Sequence, residues 1–592
     1  MPRREADLPA SRWPQPAIAL RRTLRGYGAQ SLRADLLAGC VVGIVALPLS
    51  MALAIASGVP PQHGLYTAIV AGSLIAILGG SAVQVSGPTA AFVVVLSPIA
   101  ARYGVGGLAL ASVMAGAILC AMGLARFGRL IEFVPNPVTT GFTSGIAVVI
   151  ATLQLRDFLG LRIERFPDHY LERVAALWRA LPTAHGPDLA IGALTLALLL
   201  LWPRLSKKVP APLVALAAAG AVAWAMSRWI DGFSVATIGS RFSYLVDGVV
   251  HAGIPRLPPT PLLPWNLPGP DGAPLGLSLR LVRELLPAAF AIAILGAIES
   301  LLSAVVADGM AGSAHDPDAE LLAQGTGNLV APFFGGFAAT GAIARTATNI
   351  RAGARTPLAA VTHSFFVLLA VLLLAPLLAY LPMASLAALL LLVAWNMAEA
   401  KHALRILREA PKSDAAVLLV CFGLTVVFDM VVAVSVGVVL AALLFMKRMA
   451  EVSGGQLLAA DHEELHAALP PGVVVYQIAG PLFFGAAQRA MSALQRWEKG
   501  VKVVVLDLRA VPAIDATGLF NLRSAVDRLR RERIKVVLAG VQHQPLRALA
   551  KAGWRSDPAL KIGTSFEKAL ERARQMADEP PDRTGTLVIP SR

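Results

Sequence analysis

The sequence predicts a polytopic α-helical membrane protein followed by a smaller soluble α/β domain. Three observations carry this. Of 592 residues, 56% are hydrophobic and only 15% charged, with a mean hydropathy of +0.65, far more apolar than an ordinary soluble chain. Apolar runs of bilayer length recur as far as residue 447. Beyond about residue 451 the hydropathy drops, and short β-branched runs alternate with charged helical stretches.

A hydrocarbon core of about 30 Å needs about 20 apolar residues in a helix. Such runs fall at 35–57, 61–80, 106–124, 138–155, 187–203, 211–230, 284–306, 357–380, 382–396 and 413–447, the last long enough for two passes. Residues 1–32 are read as an N-terminal segment, and before the first span lie Arg3, Arg4, Arg12, Arg21, Arg22, Arg25 and Arg33 against only Glu5, Asp7 and Asp35. The positive-inside rule makes it cytoplasmic. Lys447 and Arg448 repeat that sign after the last run, so an even number of crossings is expected. The net charge of +15 then reads as topology plus attraction to anionic lipid. No folded basic face with interleaved aromatics suggests nucleic acid. No cleaved signal peptide is expected. Cys40, Cys120 and Cys421 sit singly in apolar runs and read as small buried hydrophobes, without metal-ligand spacing.

The membrane part is expected to span 33–450, followed by a linker at 451–467, a soluble domain at 468–577 and a disordered tail at 578–592. In the soluble part, strands are expected at 473–478, 501–508 and 534–540. Helices follow after 482–488, over 518–533 and near 545–553, the alternation of a sheet with covering helices. Following a cytoplasmic helix end, this domain is cytoplasmic too.

Two apolar segments are too short to cross. From Pro88 to Ala101 a helix reaches only about 21 Å against about 30 Å of hydrocarbon. The second, Gly335 to Gly353, is broken by Gly335, Gly336 and Gly341 and carries Arg345 almost at once. Paired interrupted segments in the two halves of a hydrophobic region point to a transporter site between inverted repeats.

Several motifs carry a family resemblance: GVPPQHGLYTAIVAG (58–72), VSGPTAAF (85–92), FVPNPVTTGFTSGIAVV (133–149), LGAIESLLSAVVADGM (295–310), GNLVAPFFGGFAATGAIARTATNIRAGARTPLA (327–359) and VVLDLRAVPAIDATGL (504–519). In order and spacing the chain resembles the SulP family of sulfate-permease-type anion transporters, with a C-terminal STAS domain. The resemblance implies fourteen transmembrane segments as 7+7 inverted repeats, here about 33–230 and 275–450. It also implies a core domain moving against a gate domain, and commonly a homodimer in the cell membrane, the inner one in a Gram-negative cell.

For the site, a helix N-terminus offers unpaired N–H groups and about half a positive charge. Gly87, Pro88, Thr89 and Ala90 open one short helix; Gly341, Ala342, Ile343, Ala344 and Arg345 open the other. Together they are the candidate substrate-binding set. Pro88 is expected at the first helical position, where its missing N–H is harmless. Ala342-Ile343-Ala344-Arg345-Thr346 resembles the family stretch whose arginine faces the anion cavity; the alternative is an arginine snorkelling or pairing structurally. Arg351 and Arg355 read as interface charges.

Glu299 is an intramembrane acid, costly unless it faces a cavity, has a partner or is protonated. Ser303 follows at i+4 on the same face. Both are candidate coupling residues, the alternative being Glu299 paired with Arg345 to hold two helices. Sodium-coupled bicarbonate relatives resemble this chain here but carry a threonine where Ile343 stands, so proton coupling is favoured over sodium. Leu49 replaces a common family glutamine and removes an amide from the cavity wall. In the soluble domain Thr517 falls where anti-sigma-factor antagonists carry a phosphorylated serine, a candidate regulatory site beside a structural N-cap reading.

The reading is a secondary active anion transporter, by proton-coupled symport or by exchange of sulfate or a similar oxyanion. Alternatives are bicarbonate or C4-dicarboxylate transport, an uncoupled chloride channel, or a membrane sensor reporting through the STAS domain to a cytoplasmic protein partner. No metal cluster, nucleophile triad or phosphate-cradling loop suggests an enzyme, and no cofactor is expected.

Overall fold

A computed structural model describes residues 14–578, apart from 132–133, 164–165, 168, 207–208, 247–248, 429, 453, 458–468, 484–486, 489, 491–499, 555–559 and 564. Arg3, Arg4, Arg12, most of the expected linker, most of the helix expected after 482 and the tail from 579 lie outside these residues. The chain divides into two compact units, 1–438 and 439–592.

The first unit is mainly helical because its apolar runs leave backbone polar groups no partner but one another; short antiparallel strand pairs join Ser86–Gly87 to Thr340–Gly341 and Ser243–Val246 to Val249–Ala252. Its main helices are α1 (Ala29–Ala56), α2 (Pro61–Leu78), α3 (Ala90–Leu124), α4 (Asn136–Phe158), α5 (Gly186–Leu205), α6 (Ala211–Trp229), α7 (Leu279–Ala311), α8 (Pro317–Val330), α9 (Ile343–Arg351), α10 (Leu358–Leu378), α11 (Met383–Met397), α12 (Ala400–Glu409), α13 (Lys412–Val427) and α14 (Met430–Val452). Among the described residues, ten helices are long and apolar enough to cross a membrane. The run at 413–447 does resolve into two helices, α13 and α14.

α3 is two helices in sequence. Gly104 is non-helical at φ 70 and ψ −171, a conformation open to glycine. A side chain there would press into the backbone of Gly269, 2.5 Å away. The first piece, Ala90–Tyr103, therefore measures about 21 Å; it runs through Pro98 and Arg102. α9 is shorter still at nine residues.

The helices pack in two groups. α1, α2, α3, α7, α8 and α10 surround one another, and α4, α5, α6, α11 and α13 form a second bundle. Small residues bring backbones close: Gly116 of α3 faces Gly325 and Asn328 of α8, and Gly141 of α4 faces Leu418 of α13.

In the second unit β3 (Gly454–Leu457), β4 (Val473–Ala479), β5 (Val503–Ala510), β6 (Lys535–Ala539) and β7 (Leu560–Gly563) form one sheet in that order. β3 pairs antiparallel with β4 and the other neighbours are parallel. Helices cover both faces, as parallel strands with near-continuous apolar runs require. Val504 and Leu506 pack with residues of α15 (Ala516–Arg531) and α16 (His543–Lys551), while Val503 and Val505 pack with Ala569 and Ala573 of α17 (Phe566–Asp578). The expected linker at 451–467 is corrected: α14 extends to Val452 and 454–457 is an edge strand. Its four residues, two of them glycine, carry no strand signal of their own. β7 and α17 also escaped the sequence reading, β7 through brevity and α17 through its charge.

A Cβ on Gly116 would meet Gly325 O at 2.8 Å, whereas Gly423 has open space around it. Gly116→Leu is expected to destabilise the protein by about 3 kcal/mol through overpacking, and Gly423→Leu to leave it near wild type. Thermal unfolding of the two variants in detergent checks this.

Candidate functional site

The two interrupted segments meet. Just before α3 and just before α9 the chain forms two tiny strands, β1 (Ser86–Gly87) and β2 (Thr340–Gly341), distinct from the soluble sheet. They pair antiparallel, Ser86 opposite Gly341 and Gly87 opposite Thr340, and Ala342 N donates to Val85 O at 2.9 Å. From this crossing the chain enters α3 and α9. Thr89 caps α3 and Ala342 caps α9, and neither cap side chain bonds the helix it opens. Both helix starts thus keep the N-terminal partial charge for other partners.

Pro88 does not occupy the first helical position. The helix begins at Ala90 with Thr89 as cap, which places Pro88 one residue outside. Its carbonyl has another use: it accepts a hydrogen bond from Arg345 Nη2. The Arg345 guanidinium lies against Gly87, where a Cβ would sit 2.6 Å from Nη1, so glycine there is a matter of space. Arg345 is 2% exposed. Among the described residues its Nε and Nη1 have no hydrogen-bond partner.

Glu299, half-buried on α7, accepts from Thr89 Oγ1 at 3.0 Å. Among the described residues it forms no ion pair with Arg345, which removes the reading that the two merely clamp a pair of helices. Ser303 is corrected too. It does not line the cavity with Glu299; it is buried between helices, 3.4 Å from Thr346 Oγ1. Spacing put the two on one face, but that face meets the cavity at Glu299 and α9 at Ser303.

Buried polar groups fix the crossing. Ser300 Oγ accepts from Gly341 N at 3.1 Å and donates to Thr340 Oγ1. Thr346 Oγ1 accepts from Val85 N at 3.0 Å, and Asn349 Nδ2 donates to Val83 O at 2.9 Å. α8 supplies a second set at i, i+4 and i+8. Glu320 accepts from Gly80 N and Ser81 N. Gln324 donates to Ser86 Oγ at 2.9 Å, and Asn328 bonds both N and O of Ala339 at 2.6 and 2.9 Å. Sequence reasoning missed these three; the pattern E-x₃-Q-x₃-N on one helical face was the available signal.

A cavity of about 1090 Å³ opens beside the crossing. Pro88, Thr89, Ala90, Gly341, Ala342, Ile343, Ala344, Arg345 and Glu299 all line it, as does Leu49; Gly87 lies just behind Arg345. Arg351, expected at the interface, is exposed at this cavity instead, six residues beyond Arg345 on α9. Arg355 does lie outside it, its N–H bonded to Asp35 Oδ1 at 2.7 Å. The opposite wall, unforeseen, carries Asn136, Thr139 and Thr143 of α4 and Asn396 of α11. Asp308 and His315 also line the cavity, bonded at 2.7 Å.

In the second unit Asp515, not Thr517, caps α15, its Oδ1 accepting from Gly518 N at 2.6 Å. Thr517 is exposed in the first turn.

Two discontinuous helices aimed at one cavity, within a many-helix membrane unit that is followed by an α/β unit, define a membrane transporter. The chain belongs to the sulfate permease family, matching it over residues 32–421 and the STAS domain over 465–569. It is 40% identical to YvdB of Bacillus subtilis, a sulfate transporter by provisional name, over 89% of this chain and 95% of that one. It is 29% identical to the bicarbonate transporter BicA of Picosynechococcus, over 92% and 95%. The solved structure of the murine Solute Carrier 26 family member A9 anion transporter superposes with a TM-score of 0.80 at 18% identity, covering 97% and 96%.

Asn328→Ala leaves the buried N–H and C=O of Ala339 unpaired. It is expected to destabilise the protein by about 3 kcal/mol, read as a lowered thermal unfolding midpoint.

Proposed function

We propose that the chain carries sulfate or a similar small oxyanion across the membrane by secondary active transport, with protons as the coupling ion. The observation that supports this most is Arg345: a buried cation with two N–H-bearing nitrogens unpartnered, at the junction of two helix N-termini, on a cavity wall. An unneutralised buried charge is costly, and an anion seated there offsets the cost with charge-assisted hydrogen bonds. Substrate contacts are assigned to the backbone of Gly87, Pro88, Thr89 and Ala90 and of Gly341, Ala342, Ile343 and Ala344, with the Arg345 guanidinium.

Glu299 supplies coupling in this reading. As a carboxylate bonded to Thr89 it sets a negative charge at the cap of α3 and offsets the positive potential of the seat. Protonated, it leaves that potential whole. Proton and anion therefore favour each other's binding, and linkage makes the effect reciprocal. Ile343 offers no side-chain oxygen for sodium. Ser303, turned toward Thr346, serves in positioning α9. The likeness to BicA supports bicarbonate as a second substrate reading. Cytoplasmic termini, a homodimer, a STAS domain that receives a protein partner, and the absence of catalysis complete the proposal. Phosphorylation of Thr517 would place a phosphate at the N-terminus of α15.

In proteoliposomes an inward proton gradient should drive accumulation of labelled sulfate above equilibrium, and uptake indifferent to the gradient contradicts the coupling. Glu299→Gln should bind sulfate with an affinity independent of pH, where the wild type binds more tightly as pH falls; titrations at a series of pH values decide it. Arg345→Ala is expected to weaken sulfate binding at least about tenfold, on the order of 1.4 kcal/mol, with the thermal unfolding midpoint of the sulfate-free protein not lowered.

A further inference from the structure

α12 is ten residues long and joined to α11 and α13 by residues 398–399 and 410–411. At about 1.5 Å per residue it reaches only about 15 Å, half the hydrocarbon core. It rests against α4 and α13, yet none of its residues is buried. Its faces divide sharply. Lys401, Arg405 and Arg408 follow one another at i, i+4 and i+7 along one exposed side, with Glu409 at its edge. Leu404 and Leu407, 50% and 37% exposed, lie on the adjoining side with Ala400 and Ala403. The third side holds His402, whose Nε2 is 3.4 Å from Asn136 Oδ1. Both His402 and the preceding Glu399 line the cavity.

An exposed apolar strip beside a basic strip, on a short helix tied between membrane helices, matches a surface that is itself apolar below and anionic above. We propose that α12 lies in the membrane plane and docks on anionic lipid headgroups, Lys401, Arg405 and Arg408 meeting phosphate oxygens while Leu404 and Leu407 enter the acyl boundary. Glu399 and His402 connect that docking to the cavity wall. Lipid charge thereby sets the position of one side of the cavity.

The test uses the full chain with Cys40, Cys120 and Cys421 replaced by alanine and a fluorophore on Leu404→Cys. It is reconstituted in phosphatidylcholine with and without phosphatidylglycerol. Quenching by a doxyl-labelled lipid should rise roughly twofold or more with phosphatidylglycerol, fall back in high salt, and lose the rise in a Lys401→Gln, Arg405→Gln, Arg408→Gln variant. Equal quenching in both lipids, or a label reached equally by aqueous iodide in both, overturns the proposal even without the triple variant. A label shielded only when an acidic soluble protein is added would also overturn it, assigning the face to a protein.

Discussion

A guanidinium buried where two short strands cross is the constraint on which the rest of the membrane unit depends. Arg345 is 2% exposed; among the described residues it bonds the Pro88 carbonyl, lies against Gly87, has buried His363 within electrostatic reach, and forms no ion pair. Such a charge is tolerated only if something else supplies the missing negative potential. Here the fold leaves that role open on the cavity side. Gly87 makes room for the side chain, Pro88 holds it through a carbonyl, and the antiparallel pairing of β1 with β2 brings two helix N-termini beside it. Backbone N–H groups and a guanidinium discriminate by charge and size, and the relatives are named for different anions, sulfate and bicarbonate.

The support behind the crossing explains how so small a ribbon stays in place. Two strands of two residues have no stability of their own. Ser300, Thr346 and Asn349 anchor them from α7 and α9, and Glu320, Gln324 and Asn328 from α8. Each of these side chains bonds backbone or a strand residue, so the ribbon is held by partners on three helices. The facing wall of α4 and α11 belongs to the other helix group.

Much of this was legible in the sequence. Apolar length alone located the membrane helices, because a hydrocarbon solvent leaves little freedom in how a chain may cross it. The two glycine-broken segments announced themselves by being too short. What escaped had weak or ambiguous local signals. α8 carries Glu320, Gln324 and Asn328 on a buried face, and polar residues read as surface until their partners are known. Ser303 shares a face with Glu299 by helical period, but period does not say which neighbour each turn meets. Pro88 looked like a first helical residue because proline favours that position generally; here Thr89 intervenes. The strand at 454–457 is defined by its neighbour β4 rather than by its own residues.

The central claim is a location: an anion between the starts of α3 and α9, against Arg345. The most direct measurement is the anomalous scattering of selenate, a sulfate analogue, in crystals of the protein. The account predicts an anomalous peak within hydrogen-bond distance of Arg345 Nη1 and of the first backbone amides of both helices. A peak found only at surface arginines, with none at the crossing of β1 and β2, would contradict it.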